Sequence, residues 1–141
     1  MTVSQTQAQA LMDAAKAAYL NAYAPYSQFR VGAAVLTAPD AEGQQHVFAG
    51  CNVENAAYSL AICAERVALS HAIVNGYRDF SAIAVVAEQT QPCYPCGACR
   101  QFLQEFGPDM EVIILHPDES LSRCTTAELL PHAFSEADLL P

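Results

Sequence analysis

Cations are scarce in this sequence. Six Lys plus Arg stand against fifteen Asp plus Glu, leaving a net charge of −9. A protein that grips a phosphate backbone draws most of its affinity from clustered cations and counterion release. No nucleic-acid partner is therefore expected, and no anionic membrane surface. Charge of either sign is sparse, at 15% of the chain against an average of about 25%. Little charged surface together with much alanine suggests burial against copies of the same chain. No apolar run approaches the roughly 20 residues of a membrane span. The opening Met1-Thr2-Val3-Ser4-Gln5 carries no basic region with an apolar one behind it, so no signal peptide is expected. These absences point to a reduced, cytoplasmic protein and leave a small neutral ligand open.

What is present suits a packed domain. Hydrophobic residues make up 52% of 141, a length that predicts one domain over 1–141. Folded chains of that size hide roughly 70% of the surface that the unfolded chain exposes. Cysteines stand at 51, 63, 93, 96, 99 and 124. Disulfide frameworks belong to short secreted chains, so clustered cysteines here read as metal ligands or catalytic thiols. Cys51 and Cys124 read as small buried hydrophobes. His46, His71, His116 and His132 receive no chemical role.

Leu11, Ala15, Ala18 and Ala22 recur at helical spacing and predict a helix over 6–22. Val31, Ala33 and Val35 alternate in a strand over 31–37. Turn chemistry at Pro39-Asp40-Ala41-Glu42-Gly43 precedes a second strand over 47–53, making a hairpin. A second helix is expected from about Cys63 to Asn75, stopped by Gly76. The apolar run 81–87 reads as a buried strand. A third helix runs from about Cys96 to a point before Gly107-Pro108, and 111–116 is a further strand. A short strand near Ser122 would complete the sheet. Thr125-x-x-Glu128 is a capping box for a last short helix ending at Pro131. This order predicts one α/β fold, with helices covering a mixed sheet.

Cys96 and Cys99 are three apart at a helix start, so both sulfurs fall on one face of the first turn. Free N–H groups and the helix dipole favour thiolates there. Cys63 sits at another helix start. Two such ends converging would hold one zinc with three sulfurs, and three protein ligands are the catalytic arrangement, with a place left for water. Cys93 extends the spacing to Cys93-x-x-Cys96-x-x-Cys99, so a closed four-sulfur site stays open. An iron–sulfur run would need a cysteine followed by proline four positions on, and position 103 is Leu. A buried or redox Cys-x-x-Cys pair is the bland alternative. Glu65 tips the balance: a carboxylate two residues from a metal ligand can take a proton from a metal-bound water and return it elsewhere.

Cys63-Ala64-Glu65 and Pro95-Cys96-Gly97-Ala98-Cys99 resemble the all-cysteine variant of the zinc deaminase signature. Three further stretches are similar to the small homotetrameric cytidine deaminases: Tyr26-Ser27-x-Phe29-x-Val31-Gly32-Ala33-Ala34, Gly50-Cys51-Asn52-Val53-Glu54-Asn55-Ala56-Ala57-Tyr58 and Cys96-Gly97-Ala98-Cys99-Arg100-Gln101. Leu129-Leu130-Pro131-x-x-Phe134 adds to the likeness, which covers roughly 18–139. One departure is Arg30, where that family commonly has proline; as a loop position it puts little in doubt. The resemblance implies a three-layer α/β/α fold with a mixed five-stranded sheet and one Zn2+ per subunit. It implies hydrolysis of cytidine and 2'-deoxycytidine to uridine and 2'-deoxyuridine, for pyrimidine salvage, with Glu65 as proton shuttle. Asn52 and Glu54 would hold the ribose, Phe29 would pack near sugar and base, and Tyr58 would add a polar contact. The N–H of Ala64 would meet the pyrimidine O2. Phe134 would stack on the base of a neighbouring subunit's substrate. Three thiolates on one zinc leave a net charge of −1, and hydrogen bonds from Arg66 and Arg100 to sulfur would offset it.

Three alternatives remain at this point. A closed structural zinc module would use Cys93 and leave Asn52 and Glu54 without purpose. A deaminase for a free base or a nucleoside analogue, such as guanine or blasticidin S, fits the zinc chemistry but not a sugar-binding pair. A polynucleotide deaminase conflicts with the net charge.

Overall fold

The computed structural model describes residues 2–141. The first helix, α1 (Gln5–Tyr19), opens with a capping box in which Ser4 accepts from the Gln7 N–H and Gln7 answers on the Ser4 N–H. It stops three residues short of the expected Ala22, because the Tyr23 N–H leaves to bond the Asn52 carbonyl at 3.0 Å. β1 (Val31–Thr37) pairs antiparallel with β2 (Val47–Cys51). The expected second strand ran on to Val53. Asn52 ends it, since its side-chain Oδ1 takes the Val31 N–H at the end of the ladder, and Val53 bridges instead to Tyr23 and Ile62. A single 3-10 turn at Tyr58–Leu60 follows, which no periodicity announced.

Next come α2 (Ala64–Val74), β3 (Phe80–Ala87), α3 (Gly97–Gln104), β4 (Glu111–Leu115), β5 (Leu121–Thr125) and α4 (Thr126–Leu129). α2 stops at Gly76, whose φ of +98° suits a residue without a Cβ. The Thr125/Glu128 capping box forms as expected. The sheet order is β2-β1-β3-β4-β5. Only β3 and β4 are parallel, and α3 makes the crossover that a parallel pair requires.

Strand alternation sends side chains to two cores. Ala33, Val35, Ile83, Val85, Val112 and Ile114 face α2 and α3, packing on Ala68, Leu69 and Leu103. Ala34, Leu36, Ala84, Val86 and Ile113 face α1, packing on Leu11, Met12 and Ala15. The result is the three-layer α/β/α arrangement with a mixed five-stranded sheet. The inner layers lie very close. A Cβ on Gly50 would meet the Ala68 nitrogen at 2.4 Å and the Ala64 oxygen at 2.7 Å, so glycine lets the first turns of α2 rest directly on β2. That contact fixes where α2 begins. Cys51 and Cys124, expected to be buried, are half-buried. Among the described residues no helix is long and apolar enough to cross a membrane.

Candidate active site

Two helix N-termini meet at one end of a cleft of about 480 Å³. Cys63 is the N-cap of α2 and Cys96 the N-cap of α3. Serine, threonine or asparagine at such a position normally spends its side chain on the helix's free N–H groups. Neither cysteine makes a side-chain cap bond, so both sulfurs are left to face the cluster. Cys99, fully buried in the first turn of α3, is the third member. The three sulfurs lie within 4.8 Å of one another, and Cys63 and Cys96 are 3.9 Å apart. A tetrahedral zinc with bonds of about 2.3 Å sets its sulfurs roughly 3.8 Å apart, so the donor set fits. Among the described residues no fourth Cys, His, Asp or Glu ligand atom joins the group. Cys93 lines the cleft but stands outside the cluster, which removes the closed four-sulfur reading.

The local electrostatics are those of a metal-binding end. A hydrogen bond from the Cys99 thiol, aided by Arg66, pulls the Cys63 thiol down to about 5 despite burial. The same bond and burial hold Cys99 up. Burial pushes Cys93 up to about 11, leaving it a thiol. Arg66 Nη2 donates to the Cys63 sulfur at 3.5 Å, as expected of a guanidinium that draws charge off a thiolate. Arg100 does not do this. Its Nε donates to the Pro95 carbonyl at 2.8 Å and its Nη1 to the Leu129 carbonyl at 2.9 Å. Those bonds tie the turn before Cys96 to α4, so Arg100 acts on the shape of the loop rather than on a sulfur.

Glu65, the second residue of α2, is only 4% exposed and reaches the cleft. Burial raises its carboxyl above the ordinary range, with the Cys63 charge adding to the effect. Ala64 lines the same cleft, and its N–H, in the first turn, has no acceptor within the helix.

Phe29, Asn52 and Glu54 line the same cleft as Cys63 and Cys96. Both polar side chains already carry structural bonds. Asn52 accepts from the Val31 N–H at 2.9 Å and donates to the Phe29 carbonyl at 2.8 Å. Glu54 accepts from the N–H groups of Tyr26 and Ser27 at 3.0 and 3.1 Å and from the Ser27 hydroxyl. These bonds, the Ser27 hydroxyl first, hold the Glu54 carboxyl below its usual range. Each retains capacity: the amide has a second hydrogen and the carboxylate further lone pairs.

Two expected residues are elsewhere. Tyr58 lines an adjoining hollow of about 280 Å³ with Tyr26, Ser27, Glu54, Asn55 and Ala61, and is 76% exposed. Phe134 is exposed and outside its own chain's cleft. The cleft also has lining that the sequence reading did not single out: Ser27, Val31 and Tyr94. Ser27 stands inside a quoted motif beside Tyr26, and Tyr94 next to Pro95-Cys96, so adjacency to the motifs was the available signal.

The profile of the cytidine and deoxycytidylate deaminase zinc-binding region matches residues 5–116. A probable cytidine deaminase of Dictyostelium discoideum is 43% identical over 139 residues, 98% of this chain and 90% of that protein. A cytidine deaminase of Sporosarcina psychrophila is 46% identical over 130 residues, 92% of each chain. The crystal structure of a cytidine deaminase from Burkholderia pseudomallei superposes with a TM-score of 0.81 at 49% identity, covering 94% of this chain and all of that one. By its zinc-ligand geometry, its fold and these relatives, the chain belongs to the cytidine and deoxycytidylate deaminase zinc-binding family.

Proposed function

We propose that this protein hydrolyses cytidine and 2'-deoxycytidine to uridine and 2'-deoxyuridine with release of ammonia, serving pyrimidine salvage. The observation that carries the reading is Glu65, buried at the head of α2 two residues from Cys63 and open to the cleft. Both relatives and the crystal structure cited above carry the cytidine deaminase name.

Cys63, Cys96 and Cys99 would hold one Zn2+, which when bound would supply the Lewis acidity that lets water act as a nucleophile at neutral pH. Glu65 takes a proton from the attacking water and delivers it to N3 of the ring as the water oxygen adds to C4. It then takes the remaining proton of the hydroxyl added at C4 and passes it to the exocyclic amine; the C4–N bond breaks, ammonia leaves, and the C4 carbonyl of uridine remains. Its raised affinity for protons suits a group that must carry one between steps. Arg66 limits the charge of the three thiolates through Cys63. Arg100 holds the turn that presents Cys96. The Ala64 N–H meets the pyrimidine O2, and Phe29 packs against sugar and base. Asn52 and Glu54 offer their remaining hydrogen-bonding capacity to the ribose, which favours a nucleoside over a bare base.

The active form is a homotetramer in the cytoplasm, with residues 1–141 forming one deaminase domain per subunit. Tyr58, Leu60, Ile62 and Tyr26 form an exposed apolar surface beside the cleft, of the kind that marks a protein interface. A neighbouring subunit's Phe134 reaches the base across that surface, and Tyr58 adds its polar contact at the same boundary.

The test is incubation with cytidine and deoxycytidine, following the ultraviolet change and ammonia release with and without a zinc chelator. Turnover that the chelator abolishes is expected, and no reaction with either nucleoside overturns the reading. Sedimentation of the active species should give four chains; an active monomer contradicts the shared site.

A further inference from the structure

Arg30 and Glu88 lie opposite each other just beyond the β1–β3 ladder. The Glu88 N–H donates to the Arg30 carbonyl at 2.9 Å, one step past the Val31–Ala87 pair. The side chains repeat the connection. Arg30 Nε donates to Glu88 Oε1 at 3.0 Å and Nη2 to Oε2, the two-pronged fit that guanidinium makes with carboxylate. The remaining Nη1 reaches the Leu20 carbonyl at 3.3 Å, at the C-terminal end of α1, where a cation is favourable.

The positions joined matter more than the pair itself. Arg30 stands between Phe29 and Val31, both of which line the cleft. Asn52 already holds that segment from one side, through the Phe29 carbonyl and the Val31 N–H. Glu88 begins the loop whose later residues Cys93, Tyr94 and Cys96 line the same cleft. The ion pair is therefore a side-chain tie between two segments that line one cleft, while neither of its residues lines the cleft itself. Its side chains are 34% and 31% exposed, so it contributes little to overall stability. Its effect is on placement.

We propose that Arg30 and Glu88 are a positioning pair that sets the spacing between the Phe29 wall and the Tyr94 wall, and so the affinity for the nucleoside. The inference rests on the deaminase reading for its kinetic part only. Arg30→Ala, Glu88→Ala and the double variant are compared for kcat, KM, zinc content and amide hydrogen exchange over 27–31 and 90–95. Each single variant should raise the KM for cytidine by roughly three- to tenfold, with kcat and zinc content near the parent values. The double variant should raise it no further than either single one, because one tie is lost in all three. Arg30→Lys, which keeps the charge but loses the fork, should fall between parent and Arg30→Ala. Exchange in both segments should quicken in every alanine variant. That last result is readable even if the protein does not act on cytidine, which separates failure of the pair from failure of the deaminase reading. Unchanged KM and exchange, KM effects that multiply in the double variant, or loss of the fold in the alanine variants would each overturn the proposal.

Discussion

The cysteine end of the cleft rests on two helix starts, whereas the opposite end is a set of loops. At the first, Cys63 and Cys96 cap α2 and α3, Cys99 is fully buried, and Gly50 lets α2 sit directly on β2. At the second, Asn52 and Glu54 hold the segments at 26–31 by hydrogen bonds to backbone, and Tyr58 stands 76% exposed. The cysteine end is built by one chain on two helix starts and a fully buried side chain. The opposite end is held by polar side chains bonded to backbone, to which the proposed function gives the ribose as well, and its exposed apolar residues are where that proposal seats a second copy. Chemistry that depends on sub-ångström placement belongs on the first kind of support. Recognition tolerates the second.

The largest effect should come from breaking the cysteine end. Cys99→Ala removes a buried ligand, so zinc content should fall from one per chain toward none, and ammonia release should be lost with it. Cys93→Ala is the matched control: metal analysis should find zinc and turnover retained, and a loss of zinc there would restore the closed-site reading. Next in size, Glu54→Ala removes three bonds to Tyr26 and Ser27 along with the proposed ribose contact. KM should rise by roughly ten- to a hundredfold while zinc stays bound, as steady-state kinetics would reveal. A smaller effect is expected at the subunit boundary. Phe134→Ala should raise KM by about tenfold. Mixed with an otherwise inactive Glu65→Ala chain, it should regain activity if the proposed tetramer forms, because a hybrid would then contain a cleft with both residues intact; absence of complementation argues against a shared site.

The smallest effect is on acid stability. The Ser27 hydroxyl and two backbone N–H groups lower the Glu54 carboxyl below its usual range. The folded state thus favours the carboxylate. Its contribution is full above the ordinary glutamate value of about 4.3 and disappears as pH falls through the lower folded value. Thermal melts of the parent and Glu54→Gln should differ by a constant amount near neutrality, and the gap should close only on acidification below that range. A gap that instead widens in acid would contradict the hydrogen-bonded carboxylate.

Most strands and helices were legible because their signals are local: alternation over 31–37, Gly76 as a stop, and the Thr125/Glu128 box all depend on neighbours in sequence. The misplaced ends at Ala22 and Val53 share one cause, a hydrogen bond between distant segments through Asn52 that no local pattern encodes. The same division holds in the site. Cys96 and Cys99 announced themselves by helical spacing, and Glu65 by its nearness to Cys63. Arg100 was misjudged because a long side chain next to a ligand can turn either way, and here two backbone carbonyls claim it. Arg30 looked like a neutral loop substitution, since its partner lies 58 residues away. The roles given to Asn52, Glu54, Tyr58 and Phe134 came from family resemblance, because a substrate and a neighbouring subunit leave no period in the chain that recognises them.

The central claim is that Glu65 carries the proton while the three cysteines carry the metal. Glu65→Ala, purified in parallel with the parent, should be analysed for zinc and for ammonia release from cytidine on the same sample. The account predicts one zinc per chain in both proteins and a loss of turnover of about a thousandfold or more in the variant. Turnover within tenfold of the parent, with zinc in place, would contradict it.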